Sequence, residues 1–316
     1  MVRFNHVVNI FSAAAGSEAD IAQAVAQESM RRAKRLAADV ADVSLLTIAD
    51  AEDEIALPRG FAALPPLRRS ILSFGTFSSQ RRLPVFADVL HAAAAARPAD
   101  YIIYTNADIA VMPGFYKMLA HYASKGYDAF AINRRRIPAR FSGPHQLEEM
   151  YAEAGETHTG YDTIVFKAEL LPQFTMGNVC IGIPFFDTVL MHNLYAHAQN
   201  FRLFTGKHLT FHIGLTLVKQ WGDADQYAHN RREYKQALKA LYPHFRIEKF
   251  PGASLPFFTR HFKWLMNPTF HYPTMLRLDL AQLGRKRRTY TVHEKRNLRE
   301  KWYDVLIRRI NFPDED

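Results

Sequence analysis

The sequence predicts an α/β fold in which a mostly parallel mixed sheet carries helices on both faces. Strand-like and helix-like segments alternate through the first half of the chain, and the segments between successive strands are long enough to contain a crossover helix. The chain has 316 residues, of which 48% are hydrophobic, so it can bury one large core, alone or with an appendage. Charged residues make up 22%, which is typical of a globular protein and not of a disordered one.

The first elements follow from local patterns. A strand is predicted at residues 4–11, and Ser17 with Asp20 three residues later is typical of a helix N-terminus with a capping box. The helix is supported by small and apolar residues at helical spacing, namely Ala22, Ala26, Met30, Ala33 and Ala37. A second strand is predicted at residues 43–48, and Pro84 indicates the start of a second helix.

Residues 101–116 form the most informative segment. The apolar run at 101–104 predicts a buried strand, which ends at Asn106-Ala107-Asp108. Two oxygen-bearing side chains at positions i and i+2 can hold one hard cation, and open α/β sheets bind ligands at the carboxyl ends of their strands. The alternative is that Asn106 and Asp108 are only turn residues, since both types favour tight turns.

The second half continues the pattern less regularly. Its strands and helices are predicted at residues 115–124, 128–132, 163–166, 188–196, 208–213 and 226–241. Prolines at positions 251, 256, 268 and 273 predict an irregular segment before a basic tail. We therefore expect one domain at residues 1–245. Residues 246–316 are expected to form an irregular segment and a basic helical extension packed on or beside that domain.

The Asn106–Asp108 segment resembles the Asp-x-Asp region of GT-A-fold glycosyltransferases of the family-2 type, with Asn106 in place of the first acid. The resemblance implies a Rossmann-like GT-A sheet, a nucleotide-sugar donor, and Mn²⁺ or Mg²⁺ bound by Asp108 and Asn106 beside the donor diphosphate. A divalent ion stabilises the charge of the departing nucleoside diphosphate. If the site works without metal, arginines such as Arg134 must carry that charge.

Two later segments strengthen the resemblance. The segment Gly182-Ile-Pro-Phe-Phe-Asp187 precedes a predicted helix. GT-A enzymes often place an acidic residue at the head of such a helix, so the resemblance implies that Asp187 is the general base. The alternative role of Asp187 is to cap that helix. His212, followed by Ile213-Gly214, is similar to the late metal ligand of the family, although with 14 histidines in the chain a structural role is the alternative.

Four further residues are weaker candidates. Asp162, in Gly160-Tyr161-Asp162, resembles segments near the sugar pocket of related transferases and is a substrate-binding candidate, or else a turn residue. Phe11 follows the first strand, where a GT-A enzyme receives the nucleotide base, and either stacks on that base or lies in the core. Arg134 and Arg69 are candidates for bidentate contacts with the diphosphate, with surface solvation as the alternative.

Other classes of function lack their motifs. The chain has no Gly-x-Gly-x-x-Gly, P-loop or Gly-x-Ser-x-Gly pattern, which argues against the corresponding nucleotide-binding and serine hydrolase sites. A single cysteine, Cys180, rules out an internal disulfide and a cysteine-built zinc site. With no apolar run of about 18 residues, we expect a cytoplasmic protein.

The net charge of +9 is concentrated near the C-terminus. The basic residues there are Arg285, Lys286, Arg287, Arg288, Lys295, Arg296, Arg299, Lys301, Arg308 and Arg309. Such a tail favours an acidic polymer or the inner face of a membrane, and specific nucleic-acid recognition is not predicted; the alternative is a solvated helix face. The sequence therefore predicts a transferase that moves a sugar from a nucleotide sugar to a hydroxyl of a glycan or polysaccharide precursor. The rival hypothesis is a catalytically silent scaffold that binds a glycan or polyanion through this tail.

Overall fold

The computed structural model describes residues 1–53, 55–214, 223–267 and 270–283. The strands are β1 (Val2–Asn9), β2 (Ala41–Ile48), β3 (Ala62–Ala63), β4 (Tyr101–Thr105), β5 (Ala110–Val111), β6 (Ala129–Ile137), β7 (Glu156–Lys167), β8 (Phe201–Phe204) and β9 (Thr210–Ile213). Together these described strands form a nine-stranded sheet in the order β3-β2-β1-β4-β7-β6-β9-β5, with β8 beside β6.

Most of the strand pairs are parallel. Strands β2, β1 and β4 run in the same direction, β7 is antiparallel to both β4 and β6, and β8 and β9 pair in parallel with successive parts of β6. The carboxyl ends of β1, β2 and β4 therefore lie at one edge of the sheet. The chain leaves that edge toward Phe11 and Asn106, which is where ligands bind in folds of this kind.

Helices cover both faces of the sheet. They are α1 (Glu18–Leu36), α2 (Phe86–Ala96), α3 (Phe115–Ser124), α4 (Leu147–Ala152), α5 (Phe186–His197), α6 (Ala224–Leu241), α7 (Phe257–Met266) and α8 (Tyr272–Leu283). Neighbouring residues of β1 alternate between the faces: Val7 packs in the core with α2 and α5, and Val8 packs in the core with α1 and α3. The predicted α/β fold class is confirmed.

The start of α1 agrees with the sequence pattern. Ser17 is the N-cap, and its side chain accepts the Asp20 backbone N–H at 3.2 Å. The Asp20 carboxylate accepts the N–H of Gly16, one residue before the cap, at 2.9 Å. The small and apolar positions predicted from helical spacing are buried, including Ala26, Met30 and Ala33. Local capping and periodicity were therefore sufficient to predict this helix.

Two central strands are longer than predicted. Strand β6 continues through its arginines to Ile137, and β7 has 12 residues. The prediction stopped at the charged residues, but the partner strand neutralises them: Arg134 forms a salt bridge with Asp162, and Arg136 forms one with Glu156 at 2.9 Å. Charge satisfied across two strands is not visible in the local pattern of either one.

The segment predicted as irregular after residue 245 contains α7 and α8. Trp264 of α7 and Met275 of α8 are buried in the same hydrophobic cluster as Leu194 of α5. A buried salt bridge of 2.5 Å between Arg260 and Asp279 joins the two helices. The domain boundary at residue 245 stays a prediction, and the basic tail lies outside the described residues. None of the helices in the described ranges is long and apolar enough to cross a bilayer.

Candidate active site

Asp108 and His212 are brought together by strand pairing. Strands β5 and β9 pair antiparallel, with Ala110 opposite Phe211, so the residues flanking that pair also approach each other. Nε2 of His212 lies 3.1 Å from Oδ2 of Asp108. Both side chains are partly buried, with 13% of the His212 side chain and 23% of the Asp108 side chain exposed.

The Asp108–His212 pair fits part of the coordination shell of a divalent ion. A carboxylate oxygen beside an imidazole nitrogen is a mixed donor set compatible with Mn²⁺. No group of three or more His, Cys, Asp and Glu side chains in the described ranges is arranged to hold a metal. An ion bound here would therefore take its remaining ligands from a bound substrate and water.

Asp162 owes its position to a bulge between β6 and β7. Ile132 of β6 pairs with Thr163 of β7, but the next residue, Asn133, pairs with Tyr161. Asp162 is thus the extra residue on β7. Bulges redirect a side chain and are common beside active sites. Its alternative role as a turn residue is wrong, because it lies within a strand.

The bulge directs Asp162 toward Asn106. Its carboxylate forms the salt bridge with Arg134 and accepts a hydrogen bond of 3.3 Å from Nδ2 of Asn106. Oδ1 of Asn106 accepts a hydrogen bond of 3.0 Å from the Tyr104 hydroxyl. The structure therefore places Asn106 in contact with Asp162 and Tyr104, so its amide acts as a bridge within the site. Arg134 also lies 3.4 Å from Nε2 of His158.

Asp187 lies in the first turn of α5, two residues after a strained residue. The cap position is held by Phe185, whose φ of 86° is the sole positive value among the non-glycine residues that the structure describes. The alternative prediction that Asp187 caps the helix is therefore wrong. Its Oδ1 accepts hydrogen bonds from the Thr188 N–H at 2.7 Å and hydroxyl at 3.2 Å. Left-handed backbone at a bulky residue costs energy and is concentrated at functional sites.

The environment of Asp187 favours a base. Burial raises the pKa of its carboxyl group above the ordinary value, and the negative charge of Asp162 raises it further, while the hydrogen bonds from Thr188 oppose both effects. A carboxylate with a raised pKa is a stronger proton acceptor than an ordinary surface aspartate.

Tyr104 is the common neighbour of the site acids and was missed by the sequence analysis. Burial raises the pKa of its hydroxyl well above the usual value, and the carboxylates of Asp108, Asp187 and Asp162 raise it further in that order. The charges of three acids from distant parts of the chain thus act on one buried hydroxyl. A usable signal was present: Tyr104 and Asn106 are two residues apart, a spacing that places side chains on the same side of an extended chain.

Phe11 and Arg69 have different surroundings. Phe11 follows β1 with 44% of its surface exposed, so the alternative of a core phenylalanine is wrong and its ring is accessible for stacking. The backbone of Phe11 is held by the Gln23 side chain, which donates to the Phe11 carbonyl at 3.0 Å. Arg69 forms a salt bridge with Asp88 of α2, through Nε at 2.9 Å and a second nitrogen.

Asn230 of α6 holds the loop that leads to Asp187. Its buried side chain donates to the Cys180 carbonyl at 2.8 Å and the Pro184 carbonyl at 3.0 Å, and it accepts the Cys180 N–H at 2.8 Å. One turn further on, Glu233 accepts the N–H of Asn178 at 3.1 Å. Sequence analysis missed this clamp, because a polar residue on a helix is not distinguishable from a surface residue without its partners.

Comparison with known proteins gives matches to solved structures alone. Neither the family models nor the curated proteins contain a match to this chain. Residues 1–349 of S. aureus TarS match with a TM-score of 0.47 and 8% identity, over 98% of this chain and 81% of that one. The same protein in complex with UDP-GlcNAc matches with a TM-score of 0.44 and 9% identity, over 98% and 79% of the two chains.

A second solved protein matches over a shorter region. Glucosyl-3-phosphoglycerate synthase from Mycobacterium tuberculosis, in complex with Mn²⁺, UDP-glucose and phosphoglyceric acid, gives a TM-score of 0.42 at 14% identity. The match covers 76% of this chain and 79% of that one. The likeness to both proteins is one of general layout.

Proposed function

We propose that this chain transfers a glycosyl group from a nucleotide sugar to a hydroxyl of an acceptor glycan or polysaccharide precursor. The observation that carries the proposal is the 3.1 Å contact between Asp108 and His212 at the carboxyl edge of the sheet. The raised pKa of Asp187 and the shared influence of Asp108, Asp162 and Asp187 on Tyr104 support the same site.

The donor would lie at the end of β1 and β4. Asp108 and His212 would hold a divalent ion, which would supply positive charge to neutralise the diphosphate leaving group. Phe11 stacks on the base. Arg134, already paired with Asp162, adds a positive charge whose planar fork suits phosphate oxygens.

The acceptor would approach from the α5 side. Asp187 takes the proton of the attacking hydroxyl, and its raised pKa suits that step. Asp162 has two carboxylate oxygens, and one of them already accepts the Arg134 and Asn106 contacts. The second oxygen, Oδ2, is buried without a hydrogen-bond partner among the described residues, and we propose that it accepts a hydrogen bond from a sugar hydroxyl.

A thermal-shift panel tests the proposal. Nucleotide sugars, beginning with UDP-glucose and UDP-GlcNAc, are added with and without Mn²⁺ to the wild-type chain, Asp108→Ala and the control Asp39→Ala. Asp39 is an exposed acid paired with Lys117, so it matches the charge change outside the site. At a ligand concentration of 100 times Kd, binding stabilises the folded state by about 2.7 kcal/mol, which raises Tm by a few degrees.

We expect the shift in the wild type and Asp39→Ala and its loss in Asp108→Ala. No shift with any nucleotide sugar, or an equal shift in Asp108→Ala, would contradict the proposed donor site. A shift without release of nucleoside diphosphate in the presence of hydroxyl acceptors would favour the silent scaffold.

A further inference from the structure

The exposed face of α6 forms a basic groove. Four cations, Arg231, Arg232, Lys235 and Lys239, line an open surface depression of about 530 Å³ whose described lining residues all belong to α6, with Tyr227 at its N-terminal end. We call this surface the α6 groove. Three of the cations, Arg231, Lys235 and Lys239, are spaced four residues apart, so their helix positions lie about 6 Å apart along one side.

Charge in the α6 groove is largely unbalanced. Arg232 is the one of the four cations with an ion pair to a described residue, Glu233 at 3.6 Å. Like charges at a spacing of four residues destabilise a helix slightly, so these three cations slightly reduce the stability of α6 when no ligand is bound. The positive charge of this surface acts on His271. Burial is the main cause of the lowered pKa of His271, and the charges of Lys235 and Arg231 lower that pKa further.

The α6 groove begins beside the proposed base. The Tyr227 ring lies 5.3 Å from the Phe185 ring, and Phe185 is also stacked on Tyr234 with centroids 5.1 Å apart. Phe185 precedes Asp187 by two residues. A polymer held along the row of cations would therefore pass Tyr227, whose ring contacts a residue two positions before Asp187.

We infer that the acceptor is an anionic polymer, with phosphate or carboxylate groups in its repeating unit, held along the α6 groove by Arg231, Lys235 and Lys239. The inference rests on the proposed function for the role of Asp187. Repeated anionic groups match repeated cations spaced along one direction, whereas a neutral glycan gains nothing from them. A membrane surface fits this face less well, because Tyr227 is the sole exposed large hydrophobic side chain on the described helix α6.

Direct binding measurements test the inference. The wild type is compared with Arg231→Gln/Lys235→Gln/Lys239→Gln and with Arg35→Gln/Arg59→Gln/Lys125→Gln, which removes three exposed cations elsewhere. The probes are inorganic polyphosphate, polygalacturonate, neutral dextran, and vesicles containing phosphatidylglycerol. UDP-sugar binding with Mn²⁺ is measured on each variant as a separate readout of the donor site.

We expect salt-sensitive binding of polyphosphate or polygalacturonate, a loss of at least about tenfold in the groove variant, and a loss of less than about threefold in the control. UDP-sugar binding should be the same in all three proteins. Equal losses in both variants, no binding of either polyanion, or tighter binding to vesicles or dextran would overturn the inference. If the wild type does not bind the nucleotide sugar, that result would contradict the proposed function. Polyanion binding would then stand as an independent result.

Discussion

Nε2 of His212 lies 3.1 Å from Oδ2 of Asp108, although the two residues are 104 positions apart in the chain. The contact exists because β5, directly after Asp108, pairs with β9, which contains His212. Neither residue alone would indicate a metal site, since aspartates are common in turns and histidines are common in this chain. Because the two side chains meet at the carboxyl edge of a sheet, where ligands commonly bind, we propose that they bind the same metal ion.

Replacing either member of this pair should weaken metal binding. We expect Asp108→Asn and His212→Ala each to reduce the affinity for Mn²⁺ in the presence of UDP by at least about tenfold, because each removes one of the proposed protein ligands. Isothermal titration calorimetry measures the affinities. The effects should be non-additive in the double variant, since both residues act on one ion. His208→Ala is the control, and an equal loss in that variant would contradict a specific role for His212.

Asp187 should matter for turnover and not for donor binding. We expect Asp187→Asn to lower kcat by about 10²–10⁴-fold, the range for loss of a general base, because the amide cannot accept the proton. The affinity for UDP-sugar and Mn²⁺ should stay within about twofold of the wild type. Steady-state kinetics and calorimetry provide the two readouts. Retention of kcat in Asp187→Asn would exclude Asp187 as the base.

The raised pKa of Asp187 predicts a pH dependence. Only the ionised carboxylate acts as a base, so the acidic limb of kcat/KM should lie above the pH at which an ordinary aspartate titrates, about 3.9. Asp162→Asn removes a negative neighbour and should move this limb to lower pH. The raised pKa of Asp187 also makes the free energy of unfolding fall as the pH rises. Below the ordinary aspartate pKa the carboxyl group is protonated in both the folded and the unfolded state, whereas above it the group ionises more readily in the unfolded state. A limb that stays in place in Asp162→Asn would contradict the coupling.

The fold was more predictable than the site. Ser17, the buried stripe of α1 and the apolar run of β4 are local signals, and local signals predicted their elements correctly. Asp162 shows the limit: its orientation depends on a register shift between two strands, which no window of one strand reveals. Phe185 is similar, since its left-handed backbone, found together with stacking on Tyr234, has no signature in the residue type. Tertiary contacts decided both.

Asn230 should position the loop that ends at Asp187. We expect Asn230→Ala to reduce the free energy of unfolding by about 1–3 kcal/mol, because the Cys180 backbone groups lose their buried partner. If the loop sets the position of Asp187, kcat should fall more than the affinity for the donor. Urea denaturation and kinetics measure these effects, with the exposed amide in Gln199→Ala as the control. Equal changes in kcat and donor affinity would indicate a general loss of structure.

Two buried histidines predict loss of stability in mild acid. Nδ1 of His6 forms a hydrogen bond of 2.6 Å with the Tyr116 hydroxyl, and burial lowers the pKa of the His6 ring to about 3. His192 lies 2.8 Å from the Thr188 carbonyl through Nδ1, and burial lowers its pKa to about 4. In the folded state both rings remain neutral in mild acid, whereas in the unfolded chain they bind protons below about pH 6.5. The unfolded state therefore gains protons first as the pH falls.

Between about pH 6 and pH 4.5, each of these two histidines should lower the free energy of unfolding by about 1.4 kcal/mol per pH unit. Urea denaturation at successive pH values measures the slope. His6→Gln removes one of the two groups that titrate differently in the two states, so its slope should be smaller by about that amount, whatever its stability at pH 7. His91→Gln replaces an exposed histidine on α2 and should keep the wild-type slope. If His6→Gln and His91→Gln have the same slope, His6 must bind its proton in the folded state near the ordinary histidine pKa. That result would contradict the burial of the His6 ring beside Tyr116.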